Sequence, residues 1–256
     1  MTTLLLLPTH NEEQTIGSVI SQVQFHCPWA DIVVIDSKCT DNSIAIASSM
    51  GVSVVVAEKL GYWEALKTGY RYALLNNYEK VLQVDADGQH PCSEIPRLLT
   101  ALDEKDWVIA SRINTGSPMS FSERVAHAGF ASVVRWNTGL QITDVSSGMW
   151  ALSSRCLQIL LTYPFDTADV ALRIFGRQNG IDIYEIPVAM SRRKAGQSMH
   201  RGLSRFFNLG STIGDVYRLL SGRYSQASGE TTADDKSASL SMKKPFSMRS
   251  TSPSVY

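Results

Sequence analysis

The chain has 256 residues, of which 44% are hydrophobic and 19% charged, a composition that allows one large or two small globular domains. Twenty-four basic side chains balance 24 acidic ones, which argues against a nucleic-acid-binding protein, since such proteins carry a basic excess. We expect no membrane-spanning helix, no secretory signal and, because the four cysteines form no CxxC pair, reduced thiols in a cytosolic protein.

Strands and helices alternate through the first 110 residues. Thr3–Leu7 is an apolar run ended by Pro8, which is typical of a strand buried on both faces, and Thr15–Phe25 has apolar residues at helical spacing. The other elements predicted in this half are strands at Ile32–Ile35, Val52–Val56, Lys80–Val84 and Trp107–Ala110 and helices at Ser43–Met50, Glu64–Leu75 and Ser93–Leu102. This alternation predicts a parallel sheet covered by helices, with ligands beyond the carboxyl ends of the strands.

The second half of the chain is less regular. Its pattern predicts helices at Phe121–Leu140, Ala151–Leu161 and Val170–Asn179 and a strand at Ile181–Val188. Ten of the 36 residues from 221 to 256 are serine and large aliphatic side chains are almost absent there, which predicts a disordered tail.

Leu203–Leu220 has the spacing of an amphipathic helix. Its predicted apolar face comprises Leu203, Phe206, Phe207, Ile213, Val216, Tyr217 and Leu220. The predicted polar face includes Thr212 and Asp215, with Leu219 as an exception. Such a helix could lie in a membrane interface or pack on the protein itself.

Acidic and polar residues follow three of the predicted strands. Pro8-Thr9-His10-Asn11-Glu12 follows the first, Asp36 ends the second, and Asp85-Ala86-Asp87 follows Lys80–Val84. Two carboxylates at positions i and i+2 of a strand end can hold a divalent cation against a diphosphate. Asp41 also lies in this region, but Asp-Asn-Ser is good capping chemistry for the following helix.

Together these motifs resemble the family 2 glycosyltransferases, in the branch of the dolichol-phosphate mannosyltransferases and the bacterial polyprenyl-phosphate glycosyltransferases. The resemblance covers about residues 1–200, in the correct order. It is carried by Pro8-Thr9-His10-Asn11-Glu12-Glu13, Asp36-Ser37-Lys38-Cys39-Thr40-Asp41, Asp85-Ala86-Asp87-Gly88-Gln89-His90-Pro91, Ser111-Arg112, Ile142-Thr143-Asp144-Val145-Ser146-Ser147-Gly148, Glu185-Ile186-Pro187-Val188 and Arg192-Arg193-Lys194-Ala195-Gly196-Gln197-Ser198.

The resemblance implies a GT-A fold, that is, an α/β Rossmann-like and mostly parallel sheet flanked by helices. We expect it to span residues 1–220, with a nucleotide-sugar-binding half at 1–110, an acceptor half at 111–200 and the amphipathic helix at 201–220. A disordered serine-rich tail would follow at 221–256.

It also implies a nucleotide-sugar donor, a bound Mg²⁺ or Mn²⁺, and a set of site residues. The residues expected around the nucleotide sugar are Pro8, His10, Asn11, Glu12, Asp36, Asp85 and Ala86, with His10 stacked on the base. Asp85 and Asp87 would hold the metal, and Asp87 and Asp169 are the candidate catalytic residues. The residues expected to bind an acceptor phosphate are Arg112, Arg192, Arg193 and Ser198.

This sequence departs from the family pattern at three points. Ser37 replaces the second aspartate after the second strand, Gly61-Tyr62-Trp63 replaces Gly-Lys-Gly, and Ser147-Gly148-Met149-Trp150 replaces Ser-Gly-Phe-Arg. The class of transferase survives these changes, but the identity of the donor does not follow from them.

Several hypotheses about the function remain open. The acceptor is either a polyprenyl phosphate or a soluble molecule or saccharide. We expect the protein in the cytoplasm, and with a polyprenyl-phosphate acceptor it could lie on the cytoplasmic face of the membrane. Asp169 is a general base for a hydroxyl acceptor or a cap of the following helix. An alternative of a different class is a non-catalytic protein that binds a nucleotide sugar. A nucleotidyltransferase is disfavoured, because this sequence has no glycine-rich loop after the first strand.

Overall fold

The computed structural model of the protein describes residues 2–113, 115–116, 121–139, 141–144, 146–168, 170–191 and 204–221, and within helices it leaves out the side chains of 121–123, 126, 137 and 204–211. The described residues belong to one unit, Met1–Gln226. Four predicted site residues lie outside them: Asp169, Arg192, Arg193 and Ser198. Residues 222–256 also lie outside the described residues, so the disordered tail at 221–256 stays a prediction.

Within the described residues the chain forms seven strands and eight α-helices. The strands are β1 (Thr3–Thr9), β2 (Asp31–Asp36), β3 (Ser53–Val56), β4 (Lys80–Gln83), β5 (Trp107–Ser111), β6 (Trp150–Ser153) and β7 (Ile183–Pro187). The helices are α1 (Ile16–His26), α2 (Ser43–Ser49), α3 (Tyr62–Leu75), α4 (Ile95–Ala101), α5 (Phe121–Thr138), α6 (Ser154–Leu160), α7 (Val170–Gln178) and α8 (Ser204–Leu220).

The strands form one sheet in the order β3-β2-β1-β4-β6-β5-β7. All pairs are parallel except those of β6, which runs antiparallel to both β4 and β5. Alternate residues of β1 enter opposite faces, so Leu4 and Leu6 join one core layer and Leu5 and Leu7 the other. The mostly parallel sheet predicted from the alternation of elements is therefore confirmed.

The predicted helix at Ala151–Leu161 is wrong in its first residues, because Trp150–Ser153 is a strand and the helix begins at Ser154. Trp150, Ala151 and Leu152 are buried between β4 and β5. A strand buried on both faces has no alternation of polar and apolar residues, so its sequence cannot be told from a buried helical turn. The Ser153 hydroxyl accepts a hydrogen bond from the Cys156 amide at 3.1 Å and caps α6.

The predicted faces of α8 are also partly wrong. Thr212 and Asp215, predicted on the polar face, are buried, as is Leu219. The Thr167 hydroxyl donates to Asp215 at 3.1 Å, so this buried carboxylate has a hydrogen-bond donor within the protein. None of the described helices is long and apolar enough to cross a membrane.

Candidate active site

The carboxyl ends of β1 and β2 lie side by side, with Thr9 paired to Asp36. Asp36 accepts a hydrogen bond from the Cys39 amide at 2.7 Å. Asn11 has a φ of 56°, and its side-chain oxygen accepts a hydrogen bond from the Thr40 amide at 2.8 Å. The two strand-end loops predicted to surround the nucleotide are thus tied to each other.

The other predicted residues of the first motif have structural partners. The His10 ring donates from Nδ1 to the Ser37 carbonyl at 2.7 Å, since a carbonyl oxygen only accepts. Glu12 is buried, and its side chain accepts a hydrogen bond from the Thr15 hydroxyl at 3.2 Å. Pro8 is buried within β1. Whether these residues bind a nucleotide stays a prediction.

Asp41 stabilises the start of α2 from the position before the N-cap, which is Asn42 and has no side-chain cap hydrogen bond. Its carboxylate accepts hydrogen bonds from the Ser43 hydroxyl at 2.6 Å, the Ser43 amide at 2.9 Å and the Glu13 amide at 3.1 Å. Burial opposes ionisation of this group, but these hydrogen bonds prevail and lower the pKa of Asp41. The side chain holds the start of α2, which explains its presence without a ligand.

Asp85 and Asp87 lie just beyond the carboxyl end of β4. Asp87 is buried and accepts a hydrogen bond from the Gln89 amide at 3.0 Å, across a turn in which Gly88 has a φ of 74°. Ala86, between them, buries its side chain in the core. In the described part of the chain no three or more His, Cys, Asp or Glu side chains are grouped to hold a metal. A pair of carboxylates fits Mg²⁺ or Mn²⁺, because such ions are commonly held by one or two carboxylates together with substrate phosphates.

Asp85 is held by neighbours on three sides. The Tyr62 hydroxyl donates to its Oδ1 at 3.2 Å. His90 is buried behind it, accepting a hydrogen bond at Nδ1 from the Asp85 amide at 3.0 Å. A Cβ added to Gly148 would lie 2.6 Å from Asp85 Oδ2, so only glycine fits there without displacing the carboxylate. Burial and the charge of Asp85 raise the pKa of Tyr62 well above its usual value, and the phenol therefore stays protonated and donates.

A cavity of about 340 Å³ lies on the acceptor half of the chain. Its walls are rich in basic side chains, contributed by Arg112, Arg124, His127 and Arg135, and also include Thr143. Of these residues the sequence motifs identified only Arg112 as a phosphate-binding candidate. Arg124, His127 and Arg135 are spread along α5, which matches no motif, so no sequence signal distinguished them from surface residues.

Behind this cavity lies an ion pair between Arg112 and the fully buried Asp144. Arg112 donates from Nε to Oδ2 at 2.8 Å and from Nη2 to Oδ1 at 2.9 Å. Burial would raise the pKa of Asp144, but the hydrogen bonds and charge of Arg112 outweigh it and hold the pKa at about 2. Glu185 accepts from the Asp144 amide at 2.8 Å and the Thr143 amide at 2.9 Å. Asp144 and Glu185 belong to the matching segments, but no role was predicted for either.

Arg173 is a buried cation that the sequence analysis missed. It is 0% exposed, donates to the Ser147 carbonyl at 3.0 Å and lies 5.0 Å from the ring centre of Trp150. Trp150 occupies the position where the family pattern has an arginine, so a cation from α7 reaches this loop instead. The available signal was an arginine within the apolar run Val170–Phe175.

Residues 5–158 match the Glycosyl transferase family 2, and the chain belongs to this family. It is a glycosyltransferase with a GT-A fold.

The chain is 26% identical over 215 residues to the polyprenol monophosphomannose synthase of Mycolicibacterium smegmatis, covering 78% of this chain and 81% of that protein. It is 26% identical to the undecaprenyl-phosphate mannosyltransferase of Micrococcus luteus, covering 79% of this chain and 88% of the relative. Among solved structures, the glucosyl-3-phosphoglycerate synthase of Mycobacterium tuberculosis, in complex with Mn²⁺, uridine diphosphate and phosphoglyceric acid, aligns with a TM-score of 0.65 at 22% identity. That alignment covers 86% of this chain and 78% of the solved one.

The Asp144 pair predicts a specific dependence of stability on pH. Because the pKa of Asp144 is lower in the folded than in the unfolded chain, its stabilising contribution is present above about pH 4 and is lost as the pH falls towards 2. Asp144→Asn should lower the free energy of unfolding at pH 7 by about 2 kcal/mol, measured by urea denaturation.

The difference between wild type and Asp144→Asn should shrink as the pH falls from 5 to 2. Asp166→Asn, at a carboxylate that is 97% exposed, is the matched control and should change stability little at any pH. A difference for Asp144→Asn that is constant over this range would contradict the role of the ion pair.

Proposed function

We propose that the protein transfers a sugar from a nucleotide-diphosphate donor to a polyprenyl phosphate, with inversion at the anomeric carbon. One observation carries this proposal: an acidic strand end and a cationic cavity are joined by one short loop. Thr143 lines the cavity, and Gly148, five positions later, contacts Asp85. Five residues span at most about 18 Å, which sets an upper limit on the distance between Gly148, beside Asp85, and this wall of the cavity.

The donor would bind at the carboxyl ends of β1, β2 and β4, with its diphosphate at Asp85 and Asp87. A Mg²⁺ or Mn²⁺ ion held by these carboxylates would neutralise the charge that develops on the leaving diphosphate. The Mn²⁺ and uridine diphosphate named in the complex of the solved relative support this choice of ligands.

The acceptor phosphate would bind among Arg112, Arg124 and Arg135. A phosphate monoester is anionic at neutral pH, with a second pKa of ~6, so it needs orientation more than a general base. Its oxygen would attack the anomeric carbon from the face opposite the diphosphate, while the electron pair of the breaking C–O bond stays on the leaving diphosphate. Asp169 would be needed as a base only for a hydroxyl acceptor.

Two further observations bear on the acceptor. The names of the Mycolicibacterium and Micrococcus relatives support a polyprenyl phosphate. The phosphoglyceric acid in the complex of the solved relative keeps a soluble phosphorylated acceptor as the second candidate. We also keep Arg192, Arg193 and Ser198, outside the described residues, as proposed contacts of the acceptor phosphate.

The metal proposal predicts that Asp87→Asn, which keeps the size but removes the charge, lowers sugar transfer by orders of magnitude. Transfer from a nucleotide sugar to a short-chain polyprenyl phosphate should be measured with Mn²⁺, with Mg²⁺ and with EDTA. A panel of nucleotide sugars is required, and a parallel reaction with 3-phosphoglycerate tests the soluble acceptor. Transfer by wild type that is unchanged by EDTA, or by Asp87→Asn at the wild-type rate, would refute the metal-dependent mechanism.

The acceptor proposal predicts that Arg124→Ala raises the KM for the phosphate acceptor about tenfold or more, because a charge-assisted hydrogen bond is lost. Hydrolysis of the donor without acceptor should change little. Arg71→Ala is the matched control, since Arg71 is an exposed arginine of α3 that does not line the cavity. Equal loss of transfer and donor hydrolysis in Arg124→Ala would show that the cavity does not serve the acceptor.

We further propose that α8 brings the protein to the surface of a membrane that carries the lipid acceptor. Val216 and Leu219 pack inwards, whereas Ile213, Tyr217 and Leu220 are 56%, 59% and 41% exposed. This exposed apolar stripe recurs at helical spacing, as in helices that lie in a membrane interface.

Membrane association should be visible as flotation of the full-length protein with liposomes that contain anionic lipid. The double variant Ile213→Asp/Tyr217→Asp should lose flotation and keep its fold, because both side chains are exposed. Phe25→Asp, at an 80% exposed residue of α1, is the control and should float like wild type. A wild-type protein that stays in the soluble fraction, or that elutes as a dimer which the double variant abolishes, would contradict a lipid-facing role.

A further inference from the structure

A chain of hydrogen bonds leads from the core to Asp85. The Tyr70 hydroxyl donates to Gln83 Oε1 at 2.6 Å. Gln83 Nε2 donates to the Tyr62 hydroxyl at 3.2 Å and to the Gly148 carbonyl at 2.8 Å. The Tyr62 hydroxyl in turn donates to Asp85 Oδ1 at 3.2 Å. Because the Gly148 carbonyl can only accept, the amide of Gln83 is oriented, and every donor in the chain points towards the carboxylate.

The backbone fixes the two middle members of this relay, Gln83 and Tyr62. Gln83 is fully buried in β4. Tyr62 opens α3 directly after Gly61, whose φ of 142° favours glycine. The Gly61 amide donates to the hydroxyl of the buried Ser37 at 3.3 Å, which anchors the start of α3 to the end of β2. The phenol therefore reaches Asp85 from a rigid frame.

The opposite side of the carboxylate is closed by the loop before β6. A Cβ at Gly148 would lie 2.6 Å from Asp85 Oδ2 and 3.1 Å from the Tyr62 hydroxyl. His90 Nε2 lies 3.7 Å from the same Oδ2. Tyr62 thus supports one oxygen, while Gly148 and His90 confine the other.

We propose that Tyr62 is a positioning residue, which holds Asp85 in the orientation that binds the metal and the donor diphosphate. This inference rests on the proposed metal-dependent function. Tyr62 and Ser37 are two of the points at which this chain departs from the family pattern, and here they act together on one carboxylate. Partners of metal-binding carboxylates commonly change metal affinity 10- to 100-fold when they are removed.

The test is direct binding of Mn²⁺ to the full-length protein, followed by electron paramagnetic resonance, alone and with saturating uridine diphosphate. Tyr62→Phe keeps the ring and removes the hydroxyl, and it should weaken Mn²⁺ binding about tenfold or more. Tyr70→Phe removes a hydroxyl at the far end of the relay and leaves the Tyr62–Asp85 bond in place, so it should weaken binding much less. Thermal unfolding of each variant reports whether the fold is retained.

A double-mutant cycle separates positioning from a general loss of structure. Tyr62→Phe should have no further effect in an Asp85→Asn background, because Tyr62 acts through that carboxylate. Gly148→Ala crowds the Asp85 carboxylate at 2.6 Å and the Tyr62 hydroxyl at 3.1 Å, so it disturbs the same contact from the other side and should also weaken Mn²⁺ binding. It therefore tests the same inference if Tyr62→Phe fails to fold.

The outcomes separate this inference from the proposed function. If Asp85→Asn leaves Mn²⁺ binding unchanged, the proposed metal site itself is wrong. If Asp85→Asn weakens binding but Tyr62→Phe, or Gly148→Ala where Tyr62→Phe does not fold, binds Mn²⁺ like wild type, the metal site stands and the positioning role of Tyr62 is refuted.

Discussion

The position of Asp85 is the constraint on which the site depends. The strand that delivers it, β4, is paired with β1 on one side and with β6 on the other, so it cannot shift its register without breaking both ladders. Gln83 of β4 pairs with Trp150 of β6, and this pairing places Gly148, two residues before Trp150, next to the carboxylate. The same strand pair therefore fixes the acidic group and the loop that leads to the cationic cavity.

The second rigid element is the Asp144–Arg112 pair. A buried carboxylate is costly unless its hydrogen bonds are satisfied, and Asp144 accepts from the backbone amide of Arg112 as well as from its side chain. Glu185, from β7, accepts hydrogen bonds from the Thr143 and Asp144 amides and so ties the loop before β6 to an edge strand of the sheet. The wall of the cavity is thus held by buried charge, and Arg112 is oriented before any ligand binds.

The sequence predicted the strand ends well, because buried parallel strands and the residues after them are local patterns. The strand at Trp150–Ser153 was missed, since its apolar residues are compatible with either structure and only pairing with β4 and β5 decides between them. The buried face of α8 was misassigned because periodicity does not show that Thr167 satisfies Asp215. The roles of Tyr62 and Arg173 were not predicted, because they depend on contacts between segments that are distant in the sequence. Tyr62 donates a hydrogen bond to Asp85, and Arg173 donates one to the Ser147 carbonyl.

The most direct measurement of the central claim is a crystal structure of the full-length protein with Mn²⁺ and uridine diphosphate, using anomalous scattering from manganese. The account predicts a manganese peak at coordination distance, about 2 Å, from carboxylate oxygens of Asp85 and Asp87 and from the diphosphate. The nucleotide should lie beyond the carboxyl ends of β1 and β2. A diphosphate bound elsewhere, with no manganese at either carboxylate, would contradict the account.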